Sequence, residues 1–171
     1  DTPTPLDIPE MDSSGDGNPP DLTSIDTVFD VQPLQPGEGC VVLFNACSLD
    51  DLCGGKVLSN FDVPCMGTEL GNAWYFNGNN YLKLDYAPEL DIADGLMVEA
   101  VVKPEGYDGE FGNIITNAIG SDGMKRGFIL GITGSNQPYV VIGLGNEWIK
   151  LVGNVELSSE SFTHVKAVYD S

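Results

Sequence analysis

Four cysteines lie within 26 residues of one another, and their number and spacing are the clearest sign of a chemical role in the sequence. They are Cys40, Cys47, Cys53 and Cys65. An even number of closely spaced cysteines predicts two disulfides and a compartment outside the reducing cytosol. Of the three possible pairings we expect the nested one, with Cys47 bonded to Cys53 inside a loop closed by Cys40 and Cys65. A zinc site is disfavoured, because no Cys-x-x-Cys pair occurs and the single histidine, His164, lies 99 residues beyond Cys65.

A second set of side chains has the composition of a ligand-binding site. Aromatic faces stack on the apolar faces of sugars, while Asp, Asn and Gln bond to hydroxyl groups. These residue types occur in loops 107–111, 121–126 and 136–139, and the predicted ligand-binding residues are Tyr107, Phe111, Arg126, Tyr139 and Trp148. The alternative is that Tyr139 and Trp148 are core residues of neighbouring strands. Residues 124–126 (MKR) are the only basic cluster and could instead pair with an acidic partner.

The composition limits the classes of partner. The chain has 171 residues, 26 acidic against 7 basic side chains, and a formal net charge of -19. Nucleic-acid binding and docking on anionic lipid both rest on clustered Lys and Arg, so neither is expected. No apolar run approaches the ~20 residues of a membrane-spanning helix. No signal peptide opens the sequence, which fits a cytosolic protein or one whose signal has been removed.

Residues 1–39 differ in composition from the rest of the chain. They contain seven of the eleven prolines and nine acidic residues, but no Lys or Arg. Such a segment cannot by itself bury enough apolar surface to offset its ordering entropy. It is either a solvated linker or an arm that folds onto a partner. Within it, half of a calcium loop is present (Asp12, Ser14, Asp16, Gly17 and Asn18), but Thr23 stands where Glu should close the loop, which favours the linker.

From Cys40 onward, short apolar or alternating runs are separated by Gly, Asn, Asp and Pro, and this pattern predicts strands. The predicted strands are 41–45, 73–76, 81–85, 96–103, 113–117, 127–132, 139–144, 147–152 and 162–169. Residues 77–80 (NGNN) predict one hairpin turn and Gly145-Asn146 a second, because Asn and Gly tolerate positive backbone angles. About nine strands with regular turns indicate an all-β fold, an antiparallel β-sandwich or jelly roll, over residues 40–171.

Three segments resemble laminin-G-like jelly-roll domains of the concanavalin A-like lectin/glucanase superfamily. They are residues 71–84 (GNAWYFNGNNYLKL), 96–104 (LMVEAVVKP) and 162–170 (FTHVKAVYD), in the order that this family has them. Val101 and Phe162 replace the usual tryptophans and leave the fold expectation intact. The family continues for several strands beyond the equivalent of Tyr169, whereas this chain stops at Ser171. A sandwich cut there would leave an unpaired strand edge, so either the sequence is incomplete or another chain completes the sheet.

The resemblance also implies a calcium cofactor and suggests where a glucanase-like enzyme would carry its catalytic residues. Relatives often hold calcium at the sandwich rim, and Asp50 and Asp51 fall in the corresponding loop, so they are the candidate ligands of a structural calcium ion. Glucanases of the superfamily carry paired carboxylates on one strand, and residues 89–94 (ELDIAD) come within one residue of that motif. The laminin-G-like alignment makes this segment a connector instead. His164 could serve as a general base, but it aligns with a structural histidine.

We therefore expect a secreted or surface-tethered, non-catalytic module that binds carbohydrate or protein. The first alternative is an accessory subunit that docks onto other chains of an extracellular assembly through its arm and open sheet edge. A glucanase-like hydrolase is the remaining alternative.

Overall fold

The computed structural model describes residues 22–28, 37, 39–91, 95–105, 109–121 and 124–170. These residues form twelve strands and one short 3-10 turn, Pro88–Leu90, with antiparallel pairing throughout, which confirms the all-β prediction. None of the helical structure in this part of the chain is long and apolar enough to cross a membrane. The strands are β1 Leu22–Val28, β2 Ser59–Phe61, β3 Cys65–Thr68, β4 Gly71–Trp74, β5 Tyr81–Lys83, β6 Gly95–Val102, β7 Phe111–Thr116, β8 Ile119–Ser121, β9 Met124–Thr133, β10 Pro138–Gly145, β11 Trp148–Val152 and β12 Thr163–Asp170.

A three-stranded sheet has the order β1-β12-β6. Strand β1 is rich in β-branched residues (LTSIDTV), which favour extended backbone. It pairs with β12 from Leu22 opposite Tyr169 to Val28 opposite His164. Residues 1–39, expected to be a linker or an arm that folds onto a partner, are described only at 22–28, 37 and 39, and that expectation stays a prediction; residues 1–21 and the half calcium loop lie outside the described part. Strand β12 is paired on both sides, with β1 and with β6.

A five-stranded sheet has the order β11-β10-β9-β7, with β8 also paired to β9. Its strands follow one another in sequence, and tight turns join the central ones. The predicted turn at Gly145-Asn146 is confirmed: the Leu144 amide donates to the Glu147 carbonyl at 3.0 Å, and Gly145 has a φ of 80°. Pro138 is the first residue of β10, a position where a strand tolerates a proline.

The main core cluster lies where these two sheets meet. Alternate residues of each strand face it, as the two-residue period of a β-strand requires. Its buried members are Val98 of β6, Phe128 and Leu130 of β9, Val140 and Ile142 of β10, Leu157, and Val165, Ala167 and Tyr169 of β12. The other face of β9 and β10 carries a second, smaller cluster.

Two disulfides and two short ribbons organise residues 40–83. The bonds join Cys40 to Cys53 and Cys47 to Cys65, so the loops interleave and the nested pairing is wrong. Isolated bridges between Phe44 and Asp51 and between Asp50 and Val57 fold the first loop back on itself. This folding, rather than sequence spacing, decides which cysteines meet. Residues 41–45, predicted as a strand, contribute only one of those bridges.

The predicted hairpin around residues 77–80 is also wrong. Its flanking strands do not pair with each other: β4 pairs with β3, placing Ala73 opposite Met66, and β5 pairs with β2, placing Tyr81 opposite Phe61. Residues 77–80 instead form a loop closed by asparagine side chains, in which Asn80 Oδ1 accepts from the Asn77 amide at 3.0 Å.

Candidate functional site

Three of the five predicted ligand-binding residues, Phe111, Tyr139 and Trp148, come together on the outer face of the five-stranded sheet. Two glycines on the same face make room for their rings. Gly131 lies opposite Tyr139 and Gly143 opposite Trp148, and a methyl group added to either glycine would collide with the facing ring. The aromatic rings thus fill the space that the glycines leave in the sheet surface.

Tyr139 is a packing residue in this cluster. It is 0% exposed, its hydroxyl donates to Asn113 Oδ1 at 2.7 Å, and its ring meets the edge of Phe111 at 5.3 Å. This burial favours the alternative that Tyr139 is a core residue of its strand, and ligand contact by Tyr139 stays a prediction. Phe111 and Trp148 are half-buried, and ligand binding by these two residues stays a prediction.

Lys150 covers the cluster from the solvent side. Its Nζ lies 3.7 Å from the centre of the Phe111 ring and 5.3 Å from that of Tyr139, within the range of a cation–π contact. Burial lowers the pKa of the Lys150 ammonium, and the negative charge of Glu110 opposes that shift. The exposed Arg126 lies elsewhere and donates to the Met124 sulfur at 3.4 Å. Tyr107 lies outside the described residues.

The carboxylate of Asp51 is directed at backbone amides. Oδ1 accepts from Leu43 at 2.8 Å and Cys53 at 2.9 Å, and Oδ2 accepts from Gly54 at 2.7 Å and Lys56 at 3.4 Å. Burial raises the pKa of this carboxyl, but the four hydrogen bonds together outweigh burial and hold the pKa below its ordinary value. Asp51 therefore ties together the loop between Cys40 and Cys53.

Calcium binding by Asp50 and Asp51 stays a prediction. Asp50 is exposed, and its backbone pairs with Val57. The acceptor sites of Asp51 already face four N–H donors. Within the described ranges, no three His, Cys, Asp or Glu side chains lie close enough together to hold a metal ion.

The carboxylates of the glucanase-like segment have structural partners. Glu89 lies in the 3-10 turn and pairs with Lys56 at 3.2 Å, while Asp91 accepts from the Tyr86 hydroxyl at 2.8 Å. Neither residue is on a strand, so the pair lacks the shared strand face of that motif; Asp94 lies outside the described part. His164 Nε2 contacts Glu99 Oε2 at 2.9 Å on the outer face of the three-stranded sheet.

One aromatic surface was not predicted from the sequence. Phe61 and Tyr81 face each other across β2 and β5, with ring centres 4.5 Å apart and planes inclined by 15°. They remain 42% and 39% exposed, respectively. Stacked rings that stay exposed present a flat apolar surface to solvent.

Asparagine side chains fix the backbone around these rings. The amide nitrogen of Asn80 donates to the carbonyls of Asp62 at 3.1 Å and Tyr75 at 3.2 Å, and Asn60 exchanges two hydrogen bonds with the backbone of Val63. A depression that is open to solvent is lined by Asn60, Asp62, Val63 and Pro64. We call Asn60, Phe61, Asp62, Asn80 and Tyr81 the aromatic–asparagine surface.

The chain matches no protein-family model, no curated protein and no solved structure.

Proposed function

We propose that this chain is a non-catalytic, extracellular binding module that recognises a neutral saccharide through the aromatic–asparagine surface. The observation that carries the proposal is the exposed stack of Phe61 and Tyr81. Apolar faces of pyranose rings pack on aromatic rings, while neighbouring polar side chains bond to hydroxyl groups. Asn60 and Asp62 flank Phe61 in sequence and line a depression open to solvent, and they are the polar groups that we propose for this role.

The net charge of the chain and the open shape of the depression both favour a neutral oligosaccharide as the ligand. A net charge of -19 repels anionic glycans, so a neutral saccharide fits better. Enclosed small-molecule sites bury most of their ligand. The depression lined by Asn60 and Asp62 is open to solvent, which suits an oligosaccharide lying across the surface.

We also place the protein in the extracellular space and in the laminin-G-like fold family. Two disulfides favour an oxidising, extracellular setting. We take the three- and five-stranded sheets as the two layers of a laminin-G-like sandwich, supported by the core cluster that they share.

Isothermal titration of the protein with neutral hexasaccharides of β-glucan, xylan and chitin tests this function. We expect saturable binding to one of them, and Phe61→Ala or Tyr81→Ala should weaken it about tenfold or more through loss of stacking. Tyr86→Ala is the matched control, because Tyr86 is 67% exposed and lies outside the surface. Thermal unfolding of each variant verifies that the fold is retained.

Two outcomes would overturn the proposal. The wild-type protein could bind none of the three hexasaccharides. Alternatively, binding could survive in Tyr81→Ala but be lost in Trp148→Phe, which would move the site to the outer face of the five-stranded sheet.

The accessory-subunit function is the second candidate, and one observation favours it. Among the residues whose exposure the structure describes, ten of the sixteen exposed large hydrophobic residues fall between Val41 and Tyr86, an area that a partner chain could cover. Native mass spectrometry of the protein isolated from its source would show a complex of fixed stoichiometry under this alternative, and a free chain under the first.

A further inference from the structure

The loop of residues 77–80 contains an asparagine followed directly by a glycine, Asn77-Gly78. Both residues are exposed, and a Cβ added at Gly78 would meet no described atom within 4 Å apart from its chain neighbours. Within the described part of the chain, the amide nitrogen of Gly78 has no hydrogen-bond acceptor. This nitrogen is therefore open to water, which can remove its proton, and no side chain of its own residue shields it.

The side chain of Asn77 is folded forward along the chain. Its Oδ1 accepts from the Asn79 amide at 2.9 Å, the hydrogen bond of an Asx turn, which bends the side-chain carbonyl across the Gly78 peptide. A donor at this oxygen stabilises the negative charge that develops on Oδ1 when a nucleophile attacks Cγ. The loop thus places an unshielded nucleophile next to a polarised carbonyl.

We infer that Asn77 is a site of spontaneous deamidation that the folded loop promotes. The Gly78 nitrogen loses its proton to water and attacks Cγ of Asn77. The bond from Cγ to the side-chain nitrogen breaks, and that nitrogen takes up a proton and leaves as ammonia, so that a succinimide ring remains. Water then opens the ring at either of its two carbonyls, giving aspartate or isoaspartate, and no step oxidises or reduces the chain.

Isoaspartate at position 77 should disturb the aromatic–asparagine surface. The Asn77 amide donates to Asn80 Oδ1 at 3.0 Å, and Asn80 Nδ2 donates to the Asp62 carbonyl at 3.1 Å. Asp62 adjoins Phe61 in sequence, and Asn80 adjoins Tyr81. Isoaspartate inserts a methylene into the main chain of this loop and adds a negative charge, so the hydrogen bonds that fix the backbone beside the two rings weaken. An effect on saccharide binding rests on the proposed function, whereas the deamidation does not.

Peptide mapping by mass spectrometry of the folded, full-length protein, aged at mildly alkaline pH, tests the modification. We expect Asn77 to convert at least about tenfold faster than Asn79 or Asn146, which are also exposed but precede residues with a side chain. Its rate should equal or exceed that of the same chain held in guanidinium chloride, because only the folded loop holds the Asn79 amide on Oδ1. The inference is overturned if Asn77 converts no faster than the two control asparagines, or if folding slows its conversion.

Asn77→Ser is the matched variant, because its hydroxyl can accept from the Asn79 amide but cannot deamidate. In aged wild type, amide hydrogen exchange in residues 59–64 and 75–82 should accelerate about fivefold or more, while the aged variant stays unchanged. Affinity for whichever neutral hexasaccharide binds should fall in the aged wild type alone. Unchanged exchange after full conversion would refute the effect on the surface. Faster exchange without binding of any hexasaccharide would refute the proposed function and leave the deamidation site supported.

Discussion

Asp51 shows how one buried charge can organise a loop that has little hydrophobic core of its own. Its side chain is 8% exposed and accepts from four backbone amides spread over residues 43–56. Each of those amides would otherwise need another partner. The loop also contains both ends of the Cys40–Cys53 disulfide, so the carboxylate and the disulfide hold the same segment.

Replacing Asp51 with Asn should destabilise the protein by about 2–4 kcal/mol at neutral pH, because the amide nitrogen cannot accept from the amides that one carboxylate oxygen serves. The change should also remove a pH dependence. The folded-state pKa of Asp51 lies below its ordinary value. Its contribution to stability is thus fully present above the unfolded pKa near 4 and is lost as the pH falls through the folded pKa. Urea unfolding from neutral pH down through this acidic range measures both the loss of stability and the change in its pH dependence.

Asp50→Asn is the matched control, since Asp50 is the exposed neighbour, and its effect should stay within about 0.5 kcal/mol. The structural role of Asp51 would be refuted if Asp51→Asn unfolded like Asp50→Asn and kept the acid-dependent loss of the wild type.

At the scale of elements, the five-stranded sheet depends on pairs of glycine and aromatic residues on neighbouring strands. Gly131 receives the ring of Tyr139, and Gly143 receives the ring of Trp148. A side chain at either glycine would meet backbone and ring atoms on closely packed neighbouring strands. The cluster therefore depends on each glycine lying directly opposite an aromatic residue of the neighbouring strand.

Gly131→Ala should destabilise the protein by about 1–3 kcal/mol, because the new methyl group overlaps the Gly112 carbonyl and the Tyr139 ring. Differential scanning calorimetry should show a lower unfolding midpoint. Gly67→Ala is the control, since Gly67 lies in β3 with open space around its Cβ direction, and its midpoint should remain near that of the wild type. Equal midpoints for the two variants would contradict this packing.

Local pattern predicted four of the five strands of the five-stranded sheet, because each of the four is marked by its own hydrophobic run; β8, Ile119–Ser121, was not predicted. The local pattern could not predict which strands pair when they lie far apart in the sequence. The strand at residues 22–28 lies in a proline-rich acidic segment, and its partner β12 is near the other end of the chain. Likewise, residues 77–80 contain the chemistry of a hairpin turn, but the flanking strands find β3 and β2 as better partners.

The candidate site was missed for the same reason. Phe61 and Tyr81 are 20 residues apart and meet through the pairing of β2 with β5, whereas the predicted hairpin paired the strand of Tyr81 with the strand before the turn, residues 73–76. The cysteine spacing predicted two disulfides correctly. It could not select their pairing, because the bridges around Asp51 bring Cys53 to Cys40.

At the scale of the whole molecule, the net charge of -19 should make stability depend on ionic strength. Like charges repel more strongly in the compact state, and the screening length falls from about 10 Å at 0.1 M salt to about 3 Å at 1 M. The unfolding midpoint should therefore rise by several degrees over that range of KCl. A midpoint that is flat or falls would mean that local pairs such as Lys56 with Glu89 offset the repulsion.

Saccharide recognition by the aromatic–asparagine surface is the central claim, and NMR titration of the isotopically labelled protein tests it most directly. Whichever neutral hexasaccharide binds is added stepwise while backbone amide shifts are followed. We expect the largest changes in residues 59–64 and 75–82, which surround Phe61 and Tyr81. Changes centred instead on Phe111 and residues 148–150, or no changes with any of the three hexasaccharides, would contradict the claim.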